Sequence, residues 1–158
     1  MQKIQPFLWF NNNAEEAVEF YLSVFPNAKR GKVLRAPEGG PNPPGSVLTV
    51  AFSIGDVDFV ALNGGPHYTF THAVSFVIPC DTQQEIDEFW AKLTADGGKE
   101  IQCGWLVDKF GLSWQVTPAN IAQLLAGNSA EGGKRAMAAM MQMTKLDIAA
   151  LKKAGGLQ

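Results

Sequence analysis

The sequence predicts an α+β fold in which two βαβββ modules form a cupped mixed sheet, followed by C-terminal helices. The first observation is an internal repeat, because Glu19-Phe20-Tyr21 recurs as Glu88-Phe89-Trp90, 69 positions later. The second is that each half of the chain has the pattern of one strand, one helix and then three strands. The third is an apolar, helix-forming C-terminal segment that lies outside the repeat.

The repeat also predicts the domain organisation. We expect residues 1–66 to form the first module and residues 67–118 the second, with residues 119–158 as a helical tail. Neither module can cover its own sheet, so we expect the two to assemble as one domain around a shared concavity.

The first module begins with an aromatic strand followed by an amphipathic helix. Asn12 or Asn13 can cap this helix, and Glu15 and Glu16 lie in its first turn, near the positive end of the helix dipole. Pro26 ends the helix. The predicted strands of this module are Ile4–Phe10, Lys32–Arg35, Val47–Ile54 and Val57–Leu62.

The second module repeats this pattern with a clearer helix start. Thr82 and Glu85 form a capping box, and apolar residues then recur at helical spacing until Asp96-Gly97-Gly98. The predicted strands are Thr71–Pro79, Lys99–Cys103, Trp105–Asp108 and Leu112–Thr117.

Two segments lie outside the regular elements of the modules. Residues Ala36–Ser46 (APEGGPNPPGS) predict a mobile loop, which is either a plain connector or a flap over a pocket. The tail contains three helical segments, and its methionines, including Met137 and Met141, are interpreted as core or interface packing rather than a metal site.

Composition excludes several classes of protein. The 158 residues carry 13 Lys and Arg against 15 Asp and Glu, so the chain has no basic surface for nucleic acid. No apolar run approaches the roughly 20 residues of a membrane span, and the N-terminus lacks a signal-peptide pattern. Cys80 and Cys103 are too few for a disulfide framework. We therefore expect a cytoplasmic protein with reduced thiols that binds neither nucleic acid nor membrane.

Four segments resemble one known family. They are FLWFNNNAEEAVEFYLSVFPNAK, DTQQEIDEFWAKL, CGWLVDKFGLSWQVTP and AMMQMTKLDIAALKKA. They are similar to the PhnB-like group, often labelled 3-demethylubiquinone-9 3-methyltransferase. This group belongs to the glyoxalase, bleomycin-resistance and dioxygenase (vicinal oxygen chelate) superfamily. The resemblance covers nearly the whole chain and implies the duplicated fold and a homodimer, but one fold hosts many activities.

The methyltransferase label conflicts with the glycine pattern. A Rossmann-bound methyl donor needs a glycine-rich turn directly between a strand and a helix. The pairs Gly39-Gly40, Gly64-Gly65 and Gly97-Gly98 are not in such turns. We therefore do not expect methyl transfer from a donor bound in this way, such as S-adenosylmethionine.

The resemblance also implies positions for a divalent metal. The family's ligand positions match Gln5, with Pro6 as the neighbouring choice, on the first strand, His72 on the fifth and Gln115 on the eighth. On the fourth strand the candidates are Ala61 and Asn63. Amide oxygens are weak ligands for transition metals, so a tightly bound catalytic ion is not expected. His72 is either a pocket residue or a structural histidine, whereas His67 is interpreted as an exposed loop residue.

Strand alternation predicts an aromatic-walled pocket around these positions. Its predicted residues are Gln5, Phe7, Trp9, His72, Val74, Phe76, Ser113 and Gln115. The mixture of aromatic, amide and hydroxyl groups suits a small, mostly apolar organic ligand. The alternative is that the aromatic side chains simply fill the concave face of the sheet.

Three functional hypotheses follow. The first is a homodimeric protein that binds a small organic molecule, with no assigned chemistry. The second is a metal-dependent lyase, isomerase or dioxygenase, in which His72, Gln5 and Gln115 hold the ion. The third is a non-catalytic, drug-sequestering resistance protein, which would need an acidic cavity that the predicted pocket lacks. No serine elbow or activated thiol identifies a catalytic residue.

Overall fold

The computed structural model describes residues 3–158, and the chain divides into two compact units at Phe70 and Thr71. Each unit contains a four-stranded mixed sheet, and three helices follow the second sheet. The predicted α+β class, with duplicated modules and C-terminal helices, is confirmed. Among the described residues, no helix has both the length and the apolar character needed to cross a membrane.

The first unit contains one helix and four strands, with strand order β1-β4-β3-β2. β1 pairs with β4 in parallel, and the other two pairings are antiparallel. The elements are β1 (Phe7–Phe10), α1 (Ala14–Val24), β2 (Ala28–Arg35), β3 (Val47–Ile54) and β4 (Val57–Asn63).

Helix α1 covers one face of this sheet. Its buried residues include Ala17, Val18 and Tyr21, which recur at helical spacing. The Tyr21 ring stacks on Phe52 of β3, with centroids 5.8 Å apart, and Phe52 stacks on Phe59 of β4 at 5.0 Å. This face therefore forms the core of the first unit, and the alternate strand positions lie on the opposite, open face.

Two strands of the first unit differ in length from the prediction. β1 begins at Phe7 rather than Ile4, and Pro6, which has no N–H, cannot donate to the ladder. β2 begins at Ala28 rather than Lys32 and contains an irregularity between Arg30 and Val33. Gln5 therefore lies outside the strand on which it was predicted.

The second unit repeats the strand order of the first, as β5-β8-β7-β6. β5 and β8 are parallel, and the other pairings are antiparallel. The elements are β5 (Ser75–Cys80), α2 (Gln83–Thr94), β6 (Lys99–Glu100), β7 (Trp105–Val107) and β8 (Ser113–Pro118), with a 3₁₀ turn at Ala95–Gly97.

The capping box predicted for α2 is confirmed. The Thr82 hydroxyl accepts a hydrogen bond from the Glu85 N–H at 3.1 Å, and a Glu85 carboxylate oxygen accepts one from the Asp81 N–H at 2.7 Å. These bonds satisfy backbone donors that have no partner within the helix.

Two strands of the second unit are shorter than predicted. The Thr71 hydroxyl accepts a hydrogen bond from the Ala73 N–H at 3.2 Å, which favours a turn, and β5 begins only at Ser75. β6 stops at Glu100, and the backbone then turns through Cys103 and Gly104, whose φ angles are 59° and 83°. Both residues donate their N–H groups to the C-terminal tail.

The tail forms three helices within the second unit, α3 (Ile121–Ala126), α4 (Ala130–Met141) and α5 (Ile148–Gly155). Gly132 and Gly155 allow α4 and α5 to approach closely, since a Cβ atom on Gly132 would lie 2.5 Å from the Gly155 oxygen. The segment between α4 and α5 connects the tail to the sheet, with bonds from Cys103 N to Met143 O and from Gly104 N to Thr144 O.

Candidate functional site

The open face of the first sheet carries Phe7 and Trp9, as strand alternation predicted. Phe7 is in register with Val60, and Trp9 with Leu62. Paired residues share a face, so these four side chains lie together opposite α1. Phe7 is 59% exposed, which is high for a phenylalanine on a strand. This face therefore presents an apolar surface that its own unit does not cover.

Trp9 also holds the loop that follows β4. Its Nε1–H donates to the Gly65 oxygen at 2.9 Å, and its ring meets Tyr68 edge to face, with centroids 4.9 Å apart. A Cβ atom on Gly64 would lie 2.3 Å from the indole, so only glycine fits there. The indole therefore fixes the loop and borders the open face.

The two fourth-strand candidates lie on the helix side of the sheet. Ala61 is in register with Leu8, and both are buried. The Asn63 carboxamide accepts from the Ala14 N–H at 2.8 Å and donates to Glu15 at 2.6 Å and to the Val47 oxygen at 2.9 Å. Neither residue can therefore act with Phe7 and Trp9, and the fourth-strand interpretation was wrong. The parity of β4 places Val60 and Leu62 on the open face instead.

Gln5 lies beside a small depression that includes part of the open face of the first sheet, since Ala51 lines it and is in register with Val60. Gln5 is exposed, and it lines a pocket of about 260 Å³ with charged residues that include Lys29, Arg30 and Asp58. The predicted metal position thus has a mixed-charge surface around it.

The second sheet brings His72, Ser113 and Gln115 together. The Ser113 hydroxyl lies 3.3 Å from His72 Nδ1, and the Gln115 Nε2 donates to the Ser75 hydroxyl at 2.9 Å. Ser75 is in register with Ser113. Ser113 is 1% exposed, whereas His72 is exposed in the turn before β5. These two hydrogen-bonded pairs form a polar cluster at the start of β5 and β8.

Phe76 lies on the opposite face from this cluster. It is in register with Trp114, and the two rings have centroids 5.7 Å apart. Ser113 and Gln115 alternate with Trp114 and therefore point the other way. The expectation that Phe76 shares a face with Ser113 and Gln115 was wrong, because β5 pairs with β8 in a register that puts Ser75 and Val77 there. Val74 precedes the strand and is 64% exposed.

Comparison with known proteins identifies the family. A profile described as 3-demethylubiquinone-9 3-methyltransferase matches residues 2–117. A Bacillus cereus structure described as a putative 3-demethylubiquinone-9 3-methyltransferase, PhnB protein, is 35% identical, with a TM-score of 0.67, and the match covers 75% of this chain and 100% of that one. The chain belongs to this family.

More distant structures show the same fold. A Pseudomonas aeruginosa protein is 20% identical, with a TM-score of 0.60, over 75% of this chain and 98% of that one. The fosfomycin resistance protein FosX from Mesorhizobium loti is 14% identical, with a TM-score of 0.56, over 80% of this chain and 99% of that one. The chain therefore shares its fold with these two proteins. No curated protein matches the chain.

The turns between strand and helix do not resemble those of a Rossmann methyltransferase, despite the family's name. β1 is joined to α1 through Asn11, Asn12 and Asn13, and β5 is joined to α2 through Asp81 and Thr82. A dinucleotide-type cofactor site needs glycines at this point, so that the backbone can approach the pyrophosphate. Neither turn provides them.

The donor set at the predicted metal positions does not fit a resident transition metal. Within residues 3–158, no group of three or more His, Cys, Asp or Glu side chains could hold an ion. The polar partner of His72 is the Ser113 hydroxyl, and Gln115 offers an amide; neither group brings the negative charge that a dication requires.

Cys80 does not add a nucleophile. It and Cys103 are free thiols. Burial, reinforced by the nearby Glu85 and Asp81 carboxylates, raises the pKa of the Cys80 thiol to about 12. The thiolate is the reactive form, so Cys80 is unreactive at neutral pH.

Sequence reasoning missed a polar cleft in the first unit. It has a volume of about 490 Å³ and lies between the start of α1, the loop after β4 and the proline-rich loop 36–46. The polar side chains that line it are those of Asn12, Glu15, Asn42, Ser46, Asn63 and His67. Loop 36–46 contributes Asn42 and Ser46 to this lining, and Asn42 Nδ2 donates to the backbone oxygen of Asn63 at 2.9 Å. No sequence signal joined residues this far apart.

Proposed function

We propose that this family member binds a small, mostly apolar organic molecule through the open faces of its sheets. The observation that carries the proposal is the exposed apolar face of the first sheet, where Phe7 stands beside Trp9, Val60 and Leu62. Contiguous exposed apolar surface of this kind is typical of binding sites. In the first unit the residues proposed to bind the ligand are Phe7 and Trp9, with Gln5 nearby.

In the second unit the residues proposed to bind a ligand are His72, Ser113 and Gln115. They offer an imidazole, a hydroxyl and an amide, with Ser113 near His72 and Gln115 bonded to Ser75. A few fixed polar groups of this kind suit an uncharged or aromatic ligand with one or two hydrogen-bonding atoms. Val74 adds exposed apolar surface before β5.

We also propose that the chain forms a homodimer in the cytoplasm. Val77 leaves apolar surface exposed on the edge strand β5, which favours association, and the free thiols suit a reducing compartment. The mass measured by sedimentation equilibrium should be twice that of the single chain, which is 17.1 kDa. A monomer at every protein concentration would contradict the dimer.

The binding proposal is tested with 8-anilinonaphthalene-1-sulfonate, an aromatic fluorescent probe. We expect saturable binding that weakens about tenfold in Phe7→Ser, since burying a phenylalanine contributes about 1.5–3 kcal/mol. Gln115→Ala should weaken binding less, because it removes one polar contact.

The matched control is Val57→Ser, which removes another exposed apolar side chain from the same sheet. Val57 alternates with Asp58 and lies on the helix side at the end of the β3–β4 hairpin. It should leave probe affinity unchanged. Non-saturable binding, or equal losses in Phe7→Ser and Val57→Ser, would show that the open face is not a site.

A further inference from the structure

We propose that the cleft beside loop 36–46 binds the ammonium group of a small organic amine, with Glu15 as its anionic partner. This site is separate from the open sheet faces and does not depend on the function proposed above. Its volume of about 490 Å³ is within the range of small-molecule pockets, roughly 300–1,000 Å³.

The Glu15 carboxylate gives the cleft a negative charge, which exceeds the positive partial charge of about +0.5 at the start of α1. Glu15 is the only Asp or Glu among the described lining residues, and none of those residues is Lys or Arg. The carboxylate is half-buried, and one of its oxygens accepts a hydrogen bond of 2.6 Å from Asn63 Nδ2. Asn63 is itself fixed by its bonds to Ala14 and Val47, so the carboxylate is held at the cleft wall.

The hydrogen-bonding groups of the cleft also favour a donor-rich ligand. Both hydrogens of the Asn63 amide are used within the unit, and the N–H groups of Ser46 and Gly64 donate to the Pro43 and Phe10 oxygens. Three prolines line the cleft and have no N–H to offer a ligand. These donors are therefore missing or already used, whereas an ammonium group brings its own N–H donors.

The surroundings of Glu15 favour an amine over a metal ion. Among the described residues no group of three or more His, Cys, Asp or Glu side chains could hold an ion, and Glu15 is the one carboxylate that lines the cleft, so the cleft lacks the charge that a dication needs. The proline rings offer apolar surface for the carbon skeleton of an organic molecule. A single carboxylate matches the single charge of a primary amine.

The test uses benzylamine as the probe and benzyl alcohol as its uncharged counterpart. The binding of each compound is followed by the changes that it causes in the backbone amide chemical shifts of the protein. We expect benzylamine to cause saturable shifts at Gly65 and His67, and to bind more weakly in added salt. Glu15→Gln should weaken binding about tenfold, since a charged hydrogen bond contributes about that factor. The glutamine oxygen can still accept the bond from Asn63, so the cleft should keep its shape.

Glu16→Gln is the matched control, because Glu16 is an exposed carboxylate in the same helical turn and does not line the cleft. It should leave benzylamine binding unchanged, and so should Phe7→Ser. Equal shifts with benzyl alcohol, equal losses in the two glutamine variants, or no saturable binding would overturn the proposal. A failure of probe binding at Phe7 would leave this result unaffected, so the two proposals fail separately.

Discussion

The two units share one strand order, yet they stabilise the start of their first helix in different ways. In the second unit the cap is local, since Thr82 and Glu85 bond to backbone N–H groups within four residues. In the first unit the Asn13 side chain makes no capping bond, and the Ala14 N–H is bound by Asn63, 49 positions away. The unpaired N–H groups at the start of the helix are therefore bonded by residues close in sequence in the second unit, and by a residue of the sheet in the first.

The units also differ in what supports the sheet. The first has long β2 and β3 strands, whereas β6 and β7 of the second have two and three residues. In the second unit the C-terminal tail adds the packing that these short strands lack. Leu146 lies 1% exposed, its oxygen accepts from Gln83 Nε2 at 3.0 Å, and its side chain packs against Gly104. The family profile matches residues 2–117, so this support lies outside the matched region, although the tail segment AMMQMTKLDIAALKKA was expected to share the resemblance.

The largest expected effect comes from removing that support. Leu146→Ala should lower the free energy of unfolding by about 2–5 kcal/mol, because it leaves a cavity between the tail and the second sheet. Urea denaturation measures the loss. Met137→Ala, at a 44% exposed position of α4, is the control and should change stability by no more than about 0.5 kcal/mol. Equal effects of the two variants would mean that the tail does not stabilise the unit.

The contrast between the two helix caps gives the second prediction. Asn63→Ala should cost about 1–3 kcal/mol, since it leaves the buried Ala14 N–H without its side-chain partner. Thr82→Ala should cost about 1 kcal/mol, because water can reach the exposed donors that it leaves. Thermal unfolding of both variants ranks the losses. If Thr82→Ala proved more costly, the long-range cap would not be the stronger one.

The same contrast explains which features could be predicted from the sequence. The strand–helix–strand pattern, the capping box and the placement of Phe7 and Trp9 on one face depend on residues close in sequence, and they were predicted. The face of Phe76 and the role of Asn63 depend on the register between strands that are distant in sequence. A shift of one residue in the predicted start of a strand, or in its pairing, reverses which side chains share a face.

The cleft beside loop 36–46 could not be predicted, because its residues are distant from one another in the sequence. Glu15, Asn42 and His67 lie on three separate segments, and each one alone has the pattern of an ordinary surface residue. Only the fold places them around one volume. The interpretation of loop 36–46 as a connector or a flap could not be decided for the same reason.

The smallest expected effect concerns the ion pair between the tail and α2. Lys145 Nζ lies 2.7 Å from an Asp87 oxygen, and its hydrogen bond, followed by that of Gln83, lowers the pKa of Asp87 from the ordinary value of 3.8. A lowered carboxyl pKa stabilises the fold above the unfolded-state value, and this contribution is lost as the pH falls through the folded-state value. Lys145→Gln should therefore reduce stability slightly near neutral pH and not at all in acid well below pH 3.8.

Urea unfolding at both pH values measures this difference, with Lys92→Gln, an exposed lysine on α2, as the charge-matched control. Because both groups are exposed and screened, a loss that persisted unchanged in acid would have to come from the packing of the lysine stem rather than from its charge.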